Sequence, residues 1–265
     1  MARERFQQTS HPGASPGFPP QPLPAVCPGP PQTLGSACPS VDGIRPTQRD
    51  AIASRFLYLI RHAEAAEGGS LSDAGEEQAR RTGERLKNLP VTRIHHSPLP
   101  RAAQTARLIA GWLPGVPVAE SAVVGDYIPA DHDPGGLPPS YARLVSSYTT
   151  TERNDGAARA RAAIEQFAGP PGESPAGESA PGESPAADVH ELIVTHNFLI
   201  GWFIRHALDA PDWRWIGLNQ QNCALTVILY QPGLPPSLVT FNDAAHLPGQ
   251  LRWTGFPARL RPQYS

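Results

Sequence analysis

Two histidines and two arginines stand where a fold can bring them together. Arg61 and His62 directly follow the apolar run Phe56–Ile60 (FLYLI), Ser97 and Arg101 follow Val91–His96, and His196 and Asn197 follow Leu192–Thr195. This set of side chains suits a phosphate. A guanidinium donates two parallel hydrogen bonds to its oxygens, and a neutral imidazole has a lone pair that can attack phosphorus. Arg101 and Asn197 also open helical patterns, where backbone N–H groups add to an anion site. Chemistry of this kind requires no metal, and neither a metal nor a cofactor is expected.

For these side chains to meet, the three runs must be neighbouring strands. Phe56–Ile60 is short, continuously apolar and rich in strand formers, as a strand buried on both faces should be. Asp73 with Glu76 three residues on predicts a capping box. Ala79, Gly83 and Leu86 then keep helical spacing until Pro90. Val91–His96 reads as a second strand. Pro100 starts a second helix whose inner face is Ala102, Ala106, Ile109 and Leu113, stopped by Pro114. A helix over Ala157–Phe167, a strand over Leu192–Thr195, a helix over Phe198–Leu208 and strands over Ala224–Tyr230 and Leu238–Phe241 complete the pattern. Alternating strands and helices predict an α/β fold, a three-layer α/β/α sandwich on a mostly parallel sheet, with ligands at the carboxyl ends of the strands.

The 265 residues, 40% hydrophobic and 17% charged, suffice for one domain. Two segments fall outside it. Residues 1–54 read as a Pro-rich tail, eleven of the 32 prolines lying in the first 50 positions, and 169–187 as an inserted Pro/Gly/Glu/Ser repeat (PGESPA, GESA, PGESPA). The folded domain is expected over 55–265. A net charge of −2 gives no electrostatic reason to expect nucleic acid or an anionic membrane as partner. No apolar block follows Arg3 and Arg5 as in a secretory signal, and no apolar run reaches the roughly 18 residues of a membrane span. A cytoplasmic location is therefore expected. Cys27, Cys38 and Cys223 form no disulfide frame or zinc spacing. Nothing in the sequence indicates an oligomeric state.

Four segments, in order, resemble the histidine phosphatase superfamily, the phosphoglycerate mutase-like fold. They are LYLIRHAEA (57–65), LSDAGEEQARRTGERL (71–86), HHSPLPRAAQTARLIA (95–110) and LIVTHNFLIGWFIRHAL (192–208); NDAAHL (242–247) is similar to a C-terminal segment of many members. The resemblance implies that His62 takes the phosphoryl group while Arg61, Arg101 and His196 bind its oxygens. It also implies a carboxylic acid in the loop after the second helix. Asp126 in VGDYIP is the candidate, with Glu120 as runner-up. The same carboxylate would later activate the water that releases phosphate. Two departures are Ala63, where Gly is usual, and Asn197, where Gly commonly follows the second histidine.

Other residues compete for roles. Glu64 reads as a structural partner beside two arginines. His95 and His96 are neighbours on a strand, so they point to opposite faces and do not chelate together. Trp213 and Trp215 either wall the substrate pocket or pack against the final strand. His246 supports the end of the fold. The implied reaction is hydrolysis of a phosphorylated small molecule through phospho-His62. RHAEA and the His-Asn pair also look like small phosphohistidine-protein phosphatases, so a phosphoprotein substrate stands beside it. A mutase lacks support because no Trp-Asn pair follows His62. A domain that merely binds phosphate would not need all four core residues. Specificity is expected in the loop between Pro114 and Tyr148.

Overall fold

In the computed structural model of the chain, residues 53–129, 134–171, 187–254, 256, 259 and 261 are described. The Pro-rich tail lies outside them apart from Ala53 and Ser54, as does most of the repeat. Ala53 and Ser54 belong with the fold rather than the tail. Ala53 is buried, and the backbone N–H of Ser54 donates to Asp188 Oδ1 at 2.8 Å.

The elements run β1 (Arg55–Arg61), α1 (Asp73–Leu86), β2 (Arg93–His96), α2 (Pro100–Ala110), β3 (Val118–Glu120), α3 (Pro139–Ser146) and α4 (Thr150–Phe167), followed by β4 (Val189–Thr195), α5 (Asn197–Ala207), β5 (Leu225–Tyr230) and β6 (Ser237–Asp243). The strands form one sheet in the order β3-β2-β4-β1-β5-β6. β1, β2, β3 and β4 are mutually parallel. β5 runs against both β1 and β6. This is the expected mostly parallel α/β sheet, with one reversed strand.

Period-two alternation along β1 explains the layers. Leu57 and Leu59 face one side of the sheet, where they pack with Ala163 and Phe167 of α4 and Leu199, Ile200 and Phe203 of α5. Tyr58 and Ile60 face the other side, with Leu86 of α1 and Ala102, Ala106 and Ile109 of α2. Each wholly buried Leu or Ile here contributes about 1.5–3 kcal/mol, so the strand ends are held rigidly.

The start of α1 departs from the expectation. Ser72, not Asp73, caps the helix, accepting from Gly75 N at 3.1 Å, and no reciprocal bond from Glu76 closes a box. Ser is as good a cap as Asp, and its hydroxyl is itself oriented by donating to Glu64 at 2.7 Å. α4 starts seven residues earlier than Ala157, at a capping box between Thr149 and Glu152.

Candidate active site

β2, β4 and β1 are adjacent and parallel, so their carboxyl ends open side by side. Their register pairs Arg61 with Thr195 and His96 with Val194. The residues that follow, His62, His196 and Ser97, therefore emerge on one rim. The His62 and His196 rings sit 5.0 Å apart, and Arg101, in the first turn of α2, reaches between them. Its Nε donates to His62 Nε2 at 3.1 Å, and its Nη2 lies 3.4 Å from His196 Nδ1.

His62 is 5% exposed and held on every side. Its Nδ1 donates to the carbonyl of Ala63 at 2.8 Å, which leaves Nε2 bare and facing Arg101. The backbone is pinned as well. His62 N donates to Thr195 O at 2.9 Å, Asn222 Nδ2 donates to His62 O at 2.7 Å, and Ala63 N donates to Thr105 Oγ1 at 3.0 Å. Burial, the facing His196 and the two arginines push the imidazole pKa well below its ordinary value, so the ring is neutral at pH 7. Ala63, at a position where the resemblance implies Gly, supplies the acceptor through its backbone. Its methyl group packs in a buried cluster with Ala79, Cys223 and Ala244.

His196 caps the N-terminus of α5 and is 2% exposed. Its Nε2 lies 2.8 Å from Ser97 Oγ. Burial, reinforced by Arg101 and Arg61 and opposed by Asp126, lowers its pKa to about 4. Arg61 donates from Nη1 to the carbonyl of Gln220 at 2.6 Å and lies under the Phe256 ring, 5.8 Å from its centroid. Asn197 tightens that support: its Oδ1 accepts from Gln220 N at 2.8 Å.

Asp126 enters from the segment that follows β3, just after a short turn over Ala122–Val124. Its carboxylate accepts from Arg101 Nη2 at 2.6 Å and stands 3.6 Å from His196 Nδ1. Glu120 is not in this cluster. It lines a separate hollow of about 390 Å³ with His96, Ala103 and Arg107, because it ends a strand whose neighbour is His96 rather than His62.

Elsewhere, Glu64 is a structural partner, of Ser72 rather than of an arginine. His95 contacts Glu191 and the edge of Phe167, whereas the ring of His96 donates to Ser97 O, so the two diverge. Trp213 and Trp215 do not pack on the final strand. Trp215 is fully buried edge-on to Phe198 of α5, and Trp213 leans on Tyr141 of α3. Trp215 therefore belongs to a buried cluster with Ile128, Val145 and Ile216, against which Tyr141, the partner of Trp213, also packs. His246 contacts Thr82 of α1. Among the described residues, no group of three or more His, Cys, Asp or Glu side chains is placed to hold a metal, and no helix is long and apolar enough to cross a membrane.

The sequence pattern of the histidine phosphatase superfamily, branch 1, matches residues 57–122 and 152–244, which include His62, Arg61, Arg101 and His196. The chain belongs to the histidine phosphatase superfamily. Over 213 residues it is 30% identical to the mitochondrial serine/threonine-protein phosphatase Pgam5 of Caenorhabditis briggsae, covering 77% of this chain and 69% of that protein. It is 28% identical over 208 residues to human PGAM5, of the same description, covering 75% and 65%. It spans about two thirds of the length of these superfamily relatives. The phosphatase class of enzyme follows from the membership and from these relatives. Among solved structures, a phosphoglycerate mutase from Bacillus anthracis str. Sterne has a TM-score of 0.53 at 17% identity (74% of this chain, 96% of that one). A protein described as mycobacterial hydrolase 2 has 0.52 at 22% (75% and 94%). Both show the superfamily fold.

Asn222, Gln220 and Thr105 were not singled out in the sequence. Thr105 stands in a quoted motif, but its bond to Ala63 N crosses from helix to loop. Asn222 and the Gln220 carbonyl act 160 and 159 residues away from their partners, in a loop with no periodic signal.

Proposed function

We propose that the protein hydrolyses phosphomonoesters, without a metal, by transferring the phosphoryl group to Nε2 of His62 and then to water. The observation that carries this reading is the fixed tautomer of His62. Nδ1–H is committed to the Ala63 carbonyl, so the lone pair on Nε2 faces the guanidinium that would grip the incoming phosphate. The pocket is built for that charge. In this reading Arg61, Arg101 and His196 bind the phosphate oxygens: Arg101 and His196 stand against His62, and the charge of Arg61 acts on both histidines. Donors fixed before reaction stabilise the negative charge that spreads over the phosphoryl oxygens in the transition state.

Asp126 is the proposed acid that protonates the leaving oxygen and, after product leaves, the base that activates water. Its carboxylate already lies within the cluster, against Arg101 and near His196. A phosphorylated serine or threonine in a protein is the second substrate reading. It is favoured by the relatives, whose names describe them as serine/threonine-protein phosphatases.

Turnover of p-nitrophenyl phosphate in excess chelator tests the proposal. Wild type should turn over and His62→Ala should not, both being folded. Turnover that survives His62→Ala, or that chelator abolishes, contradicts it.

A further inference from the structure

Ser97 is wholly buried at the turn between β2 and α2 and takes no part in the reaction proposed above. Its hydroxyl oxygen lies 2.8 Å from His196 Nε2 and 3.3 Å from the backbone N of Leu99. The other ring nitrogen of His196, Nδ1, faces the phosphate pocket, 3.4 Å from Arg101 Nη2 and 3.6 Å from Asp126 Oδ2. We infer that Ser97 sets the tautomer of His196, so that Nδ1 carries the ring proton and presents it to a phosphoryl oxygen. Ser97 is then a positioning residue. This assignment rests on the phosphoryl-transfer reading of the site.

The hydrogens decide between the two tautomers. The N–H of Leu99 can only donate, so Ser97 Oγ accepts there. If His196 Nε2 were protonated, Oγ would accept a second time, and its own buried hydrogen would have no acceptor among the described residues. Leaving a buried donor unmade costs roughly 1–3 kcal/mol. If Nε2 is bare, Oγ–H donates to it, and both hydrogen bonds of the buried hydroxyl are made, while Nδ1 points into the site with Asp126 Oδ2 3.6 Å away. A neutral imidazole has one ring proton, which then sits on Nδ1.

Arg101 pulls the other way, since its Nη2 would donate to a bare Nδ1. That contact, at 3.4 Å, is at the limit of a hydrogen bond, and the same nitrogen donates to Asp126 at 2.6 Å. The buried hydroxyl hydrogen of Ser97, which among the described residues finds an acceptor only in a bare Nε2, outweighs that marginal contact. The consequence is chemical: Nδ1–H aimed into the pocket is a fixed donor to a phosphoryl oxygen, whereas a bare Nδ1 would present a lone pair to it.

Long-range ¹⁵N–¹H correlation spectra of ¹⁵N-histidine-labelled full-length protein, read without substrate at pH 7, test this directly. Wild-type His196, assigned by its loss in His196→Gln, should show a pyrrole-like Nδ1 and a pyridine-like Nε2. In Ser97→Ala this pattern should shift toward the opposite tautomer, and kcat for p-nitrophenyl phosphate should fall about 100-fold, the low end of removing one preorganised donor. Ser97→Thr, which keeps the hydroxyl, should restore both. A protonated Nε2 in wild type, or a tautomer unmoved in Ser97→Ala, overturns the inference. The spectrum is read on free protein, so it gives its answer even if turnover surviving His62→Ala sinks the phosphoryl-transfer reading.

Discussion

Replacing Arg101 by Lys keeps the charge and removes the geometry. The guanidinium spans three groups at once: Nε donates to His62 Nε2 at 3.1 Å, while Nη2 donates to Asp126 at 2.6 Å and lies 3.4 Å from His196 Nδ1. A lysine ammonium is a single point at the end of a flexible stem and cannot reproduce that fork. Losing one preorganised donor at developing charge costs about 10²–10³ in kcat, or about 3–4 kcal/mol of transition-state stabilisation. Because the fork also grips ground-state phosphate, KM should rise, by less than kcat falls. Arg101 is a partly covered rim residue rather than a core one, so the thermal midpoint should move by only a few degrees, about 1 kcal/mol. Steady-state kinetics with p-nitrophenyl phosphate, alongside a thermal melt, separate these effects. A folded Arg101→Lys enzyme with kcat within threefold of wild type would refute the reasoning.

Asp126→Asn should slow alkyl phosphates by about 10²-fold or more and p-nitrophenyl phosphate much less, because p-nitrophenolate leaves without a proton; equal losses on both substrates would remove Asp126 as the acid. Lowering pH should destabilise the fold. His196 binds its proton only near pH 4 when folded but near 6.5 when unfolded, so stability is complete above the unfolded value and is lost as pH falls toward 4. That amounts to about 2 kcal/mol by pH 5 from this residue alone, measurable as a urea-midpoint shift that His196→Asn should reduce. Gly75→Ala should destabilise by about 3 kcal/mol, since its Cβ would lie 2.0 Å from the Glu64 carbonyl; a wild-type urea midpoint would show that the loop after His62 can give way. Asn197→Gly should raise KM several-fold by loosening Gln220 and, through it, Arg61, with little change in the melting curve.

How much of this was readable in the sequence depended on how local the cause was. β1 and β4 were visible because burial on both faces leaves a continuous apolar run, and α2 because Pro100, Ala102, Ala106 and Ile109 mark a start and a face. β3 was not: it has three residues at a sheet edge, next to Pro117, and its first residue, Val118, is 43% exposed. α3 was missed too, being eight residues that pack under Trp215 through tertiary contacts. The early turns of α4 carry Glu152, Arg153, Asn154 and Asp155, which leave no apolar stripe, although the Thr149–Glu152 box was there to be found. In the site, the two His and two Arg could be placed from strand ends alone, because three parallel neighbours open on one rim. What fixes them could not be. The Ala63 carbonyl that accepts from Nδ1 of His62 and the Gln220 carbonyl on Arg61 are main-chain groups, which no side-chain type announces, and the Asn222 side-chain amide reaches the His62 carbonyl from 160 residues away. Glu120 and Asp126, six residues apart, separate only once β3 directs Glu120 toward His96.

The central claim is that phosphate passes through Nε2 of His62. Rapid quench of the enzyme with substrate into alkali, followed by peptide mapping and ³¹P NMR, tests it most directly. A base-stable, acid-labile phosphohistidine on His62, bonded through Nε2 and absent from His62→Ala, is the predicted result. Phosphate on another residue, on Nδ1, or none during full turnover would contradict it.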